Sequence, residues 1–279
     1  MLILETLLWG GLGLIFGSFA NVVILRYGKK SIGGRSVCPA CGTTLKWYEL
    51  LPVLSWLALR GKCGTCSARI SIQYPIVEML MATGFLAVGL APSPLLVQVL
   101  GAAIVFLFVV IAVYDTYTML MPDQWVFSFA ALALASSAYA LFVSGTEWTP
   151  ILILLAAGPA VALPLFCMWY FSDGAWMGFG DVKFSLGIGW LLGTAYGLLA
   201  LVYAFILGAV VGLFLLSIPR LLVALRKIGI TSFQEGGTGF TMKSEVPFGP
   251  FLILGTSIIW LATLYSYEPA LTLLGDLVL

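Results

Sequence analysis

The sequence of 279 residues contains no histidine, and only 9% of its residues are charged, against about 25% in an ordinary globular chain. Without an imidazole there is no Ser-His-Asp or Cys-His nucleophile and no His-ligated catalytic zinc, and no histidine acid or base. Any proton chemistry must fall to carboxylates or lysine. Thirteen basic residues stand against twelve acidic ones, so the basic excess of a nucleic-acid binder is missing. There is no G-x-G-x-x-G fingerprint, and Gly236-Gly-Thr-Gly239 lacks the GK[ST] ending of a phosphate loop and reads as a linker. The first apolar run has no basic n-region and ends at Asn21-Val-Val-Ile-Leu-Arg26, not at a small-residue cleavage site, so it reads as a retained span.

What the chain has instead is apolar length. Hydrophobic residues make up 61% of the sequence and the mean hydropathy is +1.09, with runs near the roughly 20 residues needed to cross a bilayer. Eight spans are predicted, at 3–25, 76–91, 95–114, 124–144, 150–171, 182–194, 196–219 and 247–265, which makes an all-α polytopic membrane protein embedded in lipid. Gly10, Gly11, Gly13 and Gly17 in the first span, and Gly208 and Gly212 in the seventh, suit close helix packing.

With eight spans the connections alternate sides, and the charges sort completely. Loop 26–75 carries Arg26, Lys29, Lys30, Arg35, Lys46, Arg60, Lys62 and Arg69; Lys183 opens the sixth span; Arg220, Arg226, Lys227 and Lys243 lie in 220–246. The other side carries Glu5, Glu147, Glu268 and Asp276. The positive-inside rule therefore places the basic side in the cytoplasm and both termini outside.

Loop 26–75 contains Cys38-Pro-Ala-Cys41 and, 21 residues on, Cys63-Gly-Thr-Cys66. Two such knuckles can offer four thiolates to one tetrahedral zinc, in a compartment where disulfides do not persist. A redox dithiol or unrelated buried cysteines are the alternatives. Four thiolates leave no open coordination position, so the expected zinc is structural and supplies folding free energy to a polar insert with little core. Cys167, in the fifth span, is expected to pack among helices.

Two of the acids stand where spans meet the basic side beside backbone-breaking residues. Asp115 ends an apolar run shortly before Pro122-Asp123, and Asp181 closes Gly178-Phe179-Gly180-Asp181. Ionisable groups at that depth are functional candidates. Two carboxyl groups sharing a proton can act as base and acid in peptide hydrolysis without histidine. Gly178 and Gly180 would let an extended substrate backbone approach. The competing reading makes Asp115 and Asp181 helix caps. Asp123 is expected to N-cap the fourth span, and Lys183 to snorkel or to tune a carboxylate. A Ser-Lys pair using Ser185 is weaker, since nothing specific depresses the lysine. Glu78, beside Pro75 on the same face, is a candidate for holding the zinc loop or substrate.

Taken together, Gly17-Ser-Phe-Ala-Asn-Val-Val-Ile-Leu-Arg26, the paired CxxC knuckles, Arg69-Ile-Ser-Ile-Gln-Tyr-Pro-Ile-Val-Glu78, Asp115 with six residues before Pro122-Asp123, the GFGD at 178–181 and Pro247-Phe-Gly-Pro-Phe251 resemble the prepilin peptidase family, bacterial type IV leader peptidases of the GxGD intramembrane aspartyl class. The resemblance covers nearly the whole chain. It implies Asp115 and Asp181 as the dyad, a multi-pass location in the bacterial inner membrane and an active site on the cytoplasmic face. It also implies type IV prepilins and type II secretion pseudopilins as substrates, cut after a glycine. Many members then N-methylate the new terminus with S-adenosylmethionine, an activity associated with the loop between the first two spans. All four cysteines are present here, which favours the bifunctional form. The expected organisation is a first span at 1–25, a zinc-binding, methyltransferase-associated domain at 26–75 and a transmembrane protease domain at 76–279. A transporter or pilus-assembly platform protein with a structural zinc module is the alternative, and it would place acids near the bilayer midplane along a path.

Overall fold

The computed structural model describes residues 2–29, 31–143, 148–227 and 246–265. Lys30, Lys243, Glu147, Glu268, Asp276 and the glycines of 236–239 lie outside them, as do the side chains of Arg220, Arg226 and Lys227. Among the described residues the chain is helical: α1 Leu2–Arg26, α2 Leu54–Ala58, α3 Gln73–Gly89, α4 Leu95–Thr118, α5 Asp123–Val143, α6 Trp148–Phe171, α7 Phe179–Lys227 and α8 Gly249–Tyr265. Five of these (α1, α4, α5, α6 and α7) are long and apolar enough to cross a membrane, and α8 is a shorter apolar helix. The protein is a multi-pass membrane protein. The sixth and seventh predicted spans lie in α7 as two helices separated at Gly193, whose φ of 74° and ψ of 178° are non-helical. A side chain would be strained there, so glycine supplies the break.

Lipid offers no hydrophobic drive between helices, so packing depends on close approach. A Cβ at Gly13 would stand 2.6 Å from Ala82 Cα, and one at Gly17 would stand 2.6 Å from Glu78 Cα, so α1 and α3 touch backbone to backbone. Gly10 also faces α3, whereas Gly11 and Gly212 meet nothing within 4 Å among the described residues, so only part of the predicted glycine face is an interface. Between α4, α5, α7 and α8 the core is aromatic. Phe108 lies 4.9 Å from Phe129, 5.8 Å from Phe184 and 6.1 Å from Trp260, centroid to centroid.

The helix ends that carry the candidate residues gather on one side. Tyr27, just past α1, meets Trp125 at the start of α5 at 4.3 Å and Tyr114 near the end of α4 at 5.5 Å. The Arg26 guanidinium donates to the carbonyls of Ser31, Ile32, Gly33 and Arg35, folding the chain back at the start of the cysteine loop.

Candidate active site and metal centre

Asp115 lies in the last turn of α4 and Asp181 in the first turn of α7, with only 5% and 7% of their surfaces exposed. Carboxyl groups so withdrawn from water require partners. Oδ2 of Asp115 accepts the backbone N–H of Gly249 at 3.1 Å, the first residue of α8, where unpaired amides of the opening turn point outward. The Asp181 carboxyl accepts a backbone hydrogen bond from Gly178. The two carboxyl groups are close enough to interact by charge. Neither α5 nor α8 carries the pair, but each packs against both α4 and α7 and so fixes their separation. Two acids from distant parts of the chain are therefore brought within electrostatic reach of each other at one end of the bundle.

Glycine is dictated at Gly249 and closely fitted at Gly180. A Cβ at Gly249 would fall 2.6 Å from Asp115 Oδ2 and would also collide with Met121 Cε. A Cβ at Gly180 would fall 3.2 Å from Met121 Cβ. The Met121 side chain thus spans from Gly180, beside Asp181, to Gly249, beside Asp115. Sequence reasoning assigned no role to Met121 or Gly249. Gly249 sits in the Pro247–Phe251 motif, which was a signal; a methionine in a short connection gives none.

Other candidates settle elsewhere. Lys183 forms an ion pair with Asp123, which directly follows Pro122, and its ammonium lies over the Phe127 and Phe179 rings. It neither snorkels alone nor pairs with the dyad. Asp123 is the first residue of α5, and no capping hydrogen bond from its side chain occurs among the described residues, so the expected N-cap is replaced by this ion pair. The Ser185 hydroxyl donates to the Val182 carbonyl at 2.7 Å, which leaves no Ser-Lys pair. Gly178 approaches Asp181, its built Cβ lying 3.7 Å from Oδ2. Glu78 stands apart from the aspartates: its Oε2 accepts the Val53 N–H at 2.7 Å, and Ser18 of α1 hydrogen-bonds it.

The four cysteines converge. Their sulfurs all lie within 4.8 Å of one another, with Cys38 and Cys66 3.9 Å apart. Sulfurs about 2.3 Å from a tetrahedral zinc would stand roughly 3.8 Å apart, so the cluster fits that ion. The two knuckles repeat one backbone pattern. Cys38 N–H donates to Thr43 O and Gly42 N–H returns to Cys38 O, while Cys63 N–H donates to Ala68 O and Ser67 N–H returns to Cys63 O. Gly42 and Ser67 occupy the equivalent left-handed position, with φ of 70° and 57°. Cys38 and Cys63 are buried, Cys41 and Cys66 exposed. Hydrogen bonding by Thr43, side chain first and then backbone, draws the Cys41 thiol down to about 6, toward the thiolate that binds metal.

Residues 12–91 match the model of the bacterial peptidase A24 N-terminal domain, and residues 102–213 match that of the type IV leader peptidase family. The chain is 33% identical over 202 residues to the prepilin leader peptidase/N-methyltransferase of Bacillus subtilis, covering 72% of this chain and 79% of that protein. It is 32% identical over 272 residues to the protein of the same name from Pectobacterium carotovorum, covering 88% and 89%. A Myxococcus xanthus protein of that name is 51% identical over a shorter stretch of 78 residues, 27% of this chain and 23% of that one. No solved structure matches the chain.

Proposed function

The chain belongs to the type IV leader peptidase family, and from that premise we propose that it removes the leader from type IV prepilins and related pseudopilins at an Asp115–Asp181 dyad and then N-methylates the new terminus. The observation that carries the reading is the meeting of two buried carboxyl groups from α4 and α7. Two carboxyl groups acting as one unit share a proton, one serving as base and the other as acid. One carboxylate takes a proton from water as the water oxygen attacks the scissile carbonyl. The other, protonated, donates its proton to the developing oxygen; the first carboxyl group then passes the proton it took from water to the departing amine as the C–N bond breaks, and the diol returns a proton to the second carboxylate as the new carboxyl group forms. The Gly249 N–H holds the Asp115 carboxyl, and at Gly178 no side chain stands between Asp181 and an approaching extended backbone, whereas Gly180 faces Met121.

Cys38, Cys41, Cys63 and Cys66 would hold a zinc ion whose contribution is to fold loop 31–72; four thiolates leave it no open position for catalysis. The methyl donor, S-adenosylmethionine, comes with the family's second activity, and no residue here is assigned to it. The charge sorting along the sequence supports a cytoplasmic position for the dyad and the cysteine loop, with both termini on the far side. A transporter reading is disfavoured because both acids sit at helix ends and not midway along a path. The reading is tested by incubating membranes carrying the wild-type chain with a prepilin whose leader ends in glycine, and following both the shortened product and its N-terminal mass.

A further inference from the structure

The cysteine loop exposes an apolar surface that a water-facing module would not carry. Trp47 is 75% exposed, Leu54 65% and Leu57 59%, and Tyr48, Leu50 and Leu51 are exposed beside them. They sit on the single 3-10 turn Trp47–Leu50 and on α2, while loop 31–45 has few exposed large apolar side chains, Ile32 and Val37. A patch of this kind marks a binding surface.

Its position identifies the partner. Val53, between the turn and α2, donates its N–H to Glu78, the sixth residue of α3, so the segment hangs roughly 8 Å along the axis below the start of that helix. Val53 is held there with a φ of 60°, a conformation that a β-branched residue rarely adopts. The Trp56 indole N–H donates to the Ile70 carbonyl, tying α2 to the strand of chain that enters α3. Beside it, Ile72 just before α3 and Ile76, Met79 and Leu80 on α3 are exposed apolar side chains. Exposed Lys46, Arg60 and Lys62 bracket the segment. Its one acid, Glu49, is turned back to accept the Lys46 N–H. Tryptophan and tyrosine with leucines on one side and cations at the edges is the composition of the boundary between headgroups and acyl chains.

We propose that residues 47–57 insert into the headgroup–acyl boundary of the leaflet on their side of the bilayer, continuing the lipid-facing surface of α3 and holding the cysteine module flat against the membrane. The inference needs the membrane location but not the peptidase reading, so the two stand or fall separately. The full chain is placed in vesicles of phosphatidylcholine with about one third phosphatidylglycerol, doped with a phospholipid bearing an acyl-chain diazirine, and lipid adducts are mapped by mass spectrometry after illumination. Residues 47–57 should carry at least about fivefold more adducts than residues 31–45. The Trp47→Ser, Leu54→Ser, Leu57→Ser triple variant should lose those adducts and be cut severalfold faster by trypsin at Arg60 and Lys62, with its zinc content unchanged. Equal labelling of 47–57 and 31–45 in the wild-type protein overturns the proposal. So does labelling of 47–57 by a photoactivatable prepilin helix in preference to lipid. If the triple variant loses its zinc, the wild-type adduct ratio alone decides.

Discussion

Replacing Gly249 with alanine should separate folding from catalysis. The added methyl would stand 2.6 Å from Asp115 Oδ2 and 3.1 Å from its Cγ, where ordinary contacts begin near 3.4 Å. The carboxyl group must therefore retreat by roughly 0.8 Å, and a misplacement of about 1 Å in a reacting group can cost ~100-fold in rate. The same displacement stretches the 3.1 Å bond from the Gly249 N–H, a hydrogen bond to a charged group worth about 1.5–3 kcal/mol. That range corresponds to about ten- to over 100-fold, so both consequences of the one displacement point to a loss of roughly two orders of magnitude in kcat. Alanine is also a better helix former than glycine by up to ~1 kcal/mol, which makes unfolding an unneeded explanation. The contrasting variant is Gly180→Ala, whose methyl would meet Met121 Cβ at 3.2 Å and Cγ at 3.6 Å. A methionine side chain can yield by a few tenths of an ångström, and the loss should stay below about tenfold. Both are read as initial rates of prepilin cleavage in liposomes, with thermal stability measured in parallel. Wild-type turnover by Gly249→Ala would refute the placement of Asp115 at the reacting bond.

Further outcomes follow from the same geometry. Purified protein should carry about one zinc per chain, and Cys38→Ser should lower that content and speed proteolysis of loop 31–72 while leaving leader cleavage largely intact; metal analysis beside the cleavage assay checks this. Glu78→Ala removes a buried charged acceptor from the Val53 N–H and should loosen the loop by about 1.5–3 kcal/mol, read as faster trypsin cleavage at Arg60, with Glu78→Gln closer to wild type because an amide oxygen can still accept. Asp123→Asn breaks the ion pair with Lys183, but Asp123 is 61% exposed, so thermal stability should change by less than about 1 kcal/mol.

The parts of this protein written in local patterns were readable before the structure. Apolar runs between polar breaks located the apolar helices, five of which among the described residues are long and apolar enough to cross a membrane, and the CxxC spacing located the thiolate cluster, because both signals lie within a few residues of themselves. Asp115 and Asp181 stood out as acids next to membrane-length apolar runs, yet the sequence alone left helix caps as a rival, since their meeting depends on α5 and α8 holding α4 and α7 together. Long-range partners were beyond local reading. The Gly249 N–H reaches Asp115 across 134 positions, and Lys183 reaches Asp123 across 60. The N-cap expected of Asp123 failed for this reason: a capping preference is worth about 1 kcal/mol, and a cation brought up by another helix outcompeted it. The break between the two helices of α7, at Gly193, lies beside the boundary expected between the sixth and seventh spans.

The central claim is that Asp115 and Asp181 act as one catalytic unit. Its most direct measurement is cleavage of a glycine-terminated prepilin leader by Asp115→Asn, Asp181→Asn and the double variant, each reconstituted at equal amounts with its zinc content verified. Removing either member of such a unit should abolish detectable cleavage, and the double variant should be no worse than either single one, because their effects do not add. Cleavage retained by either single variant would contradict the account.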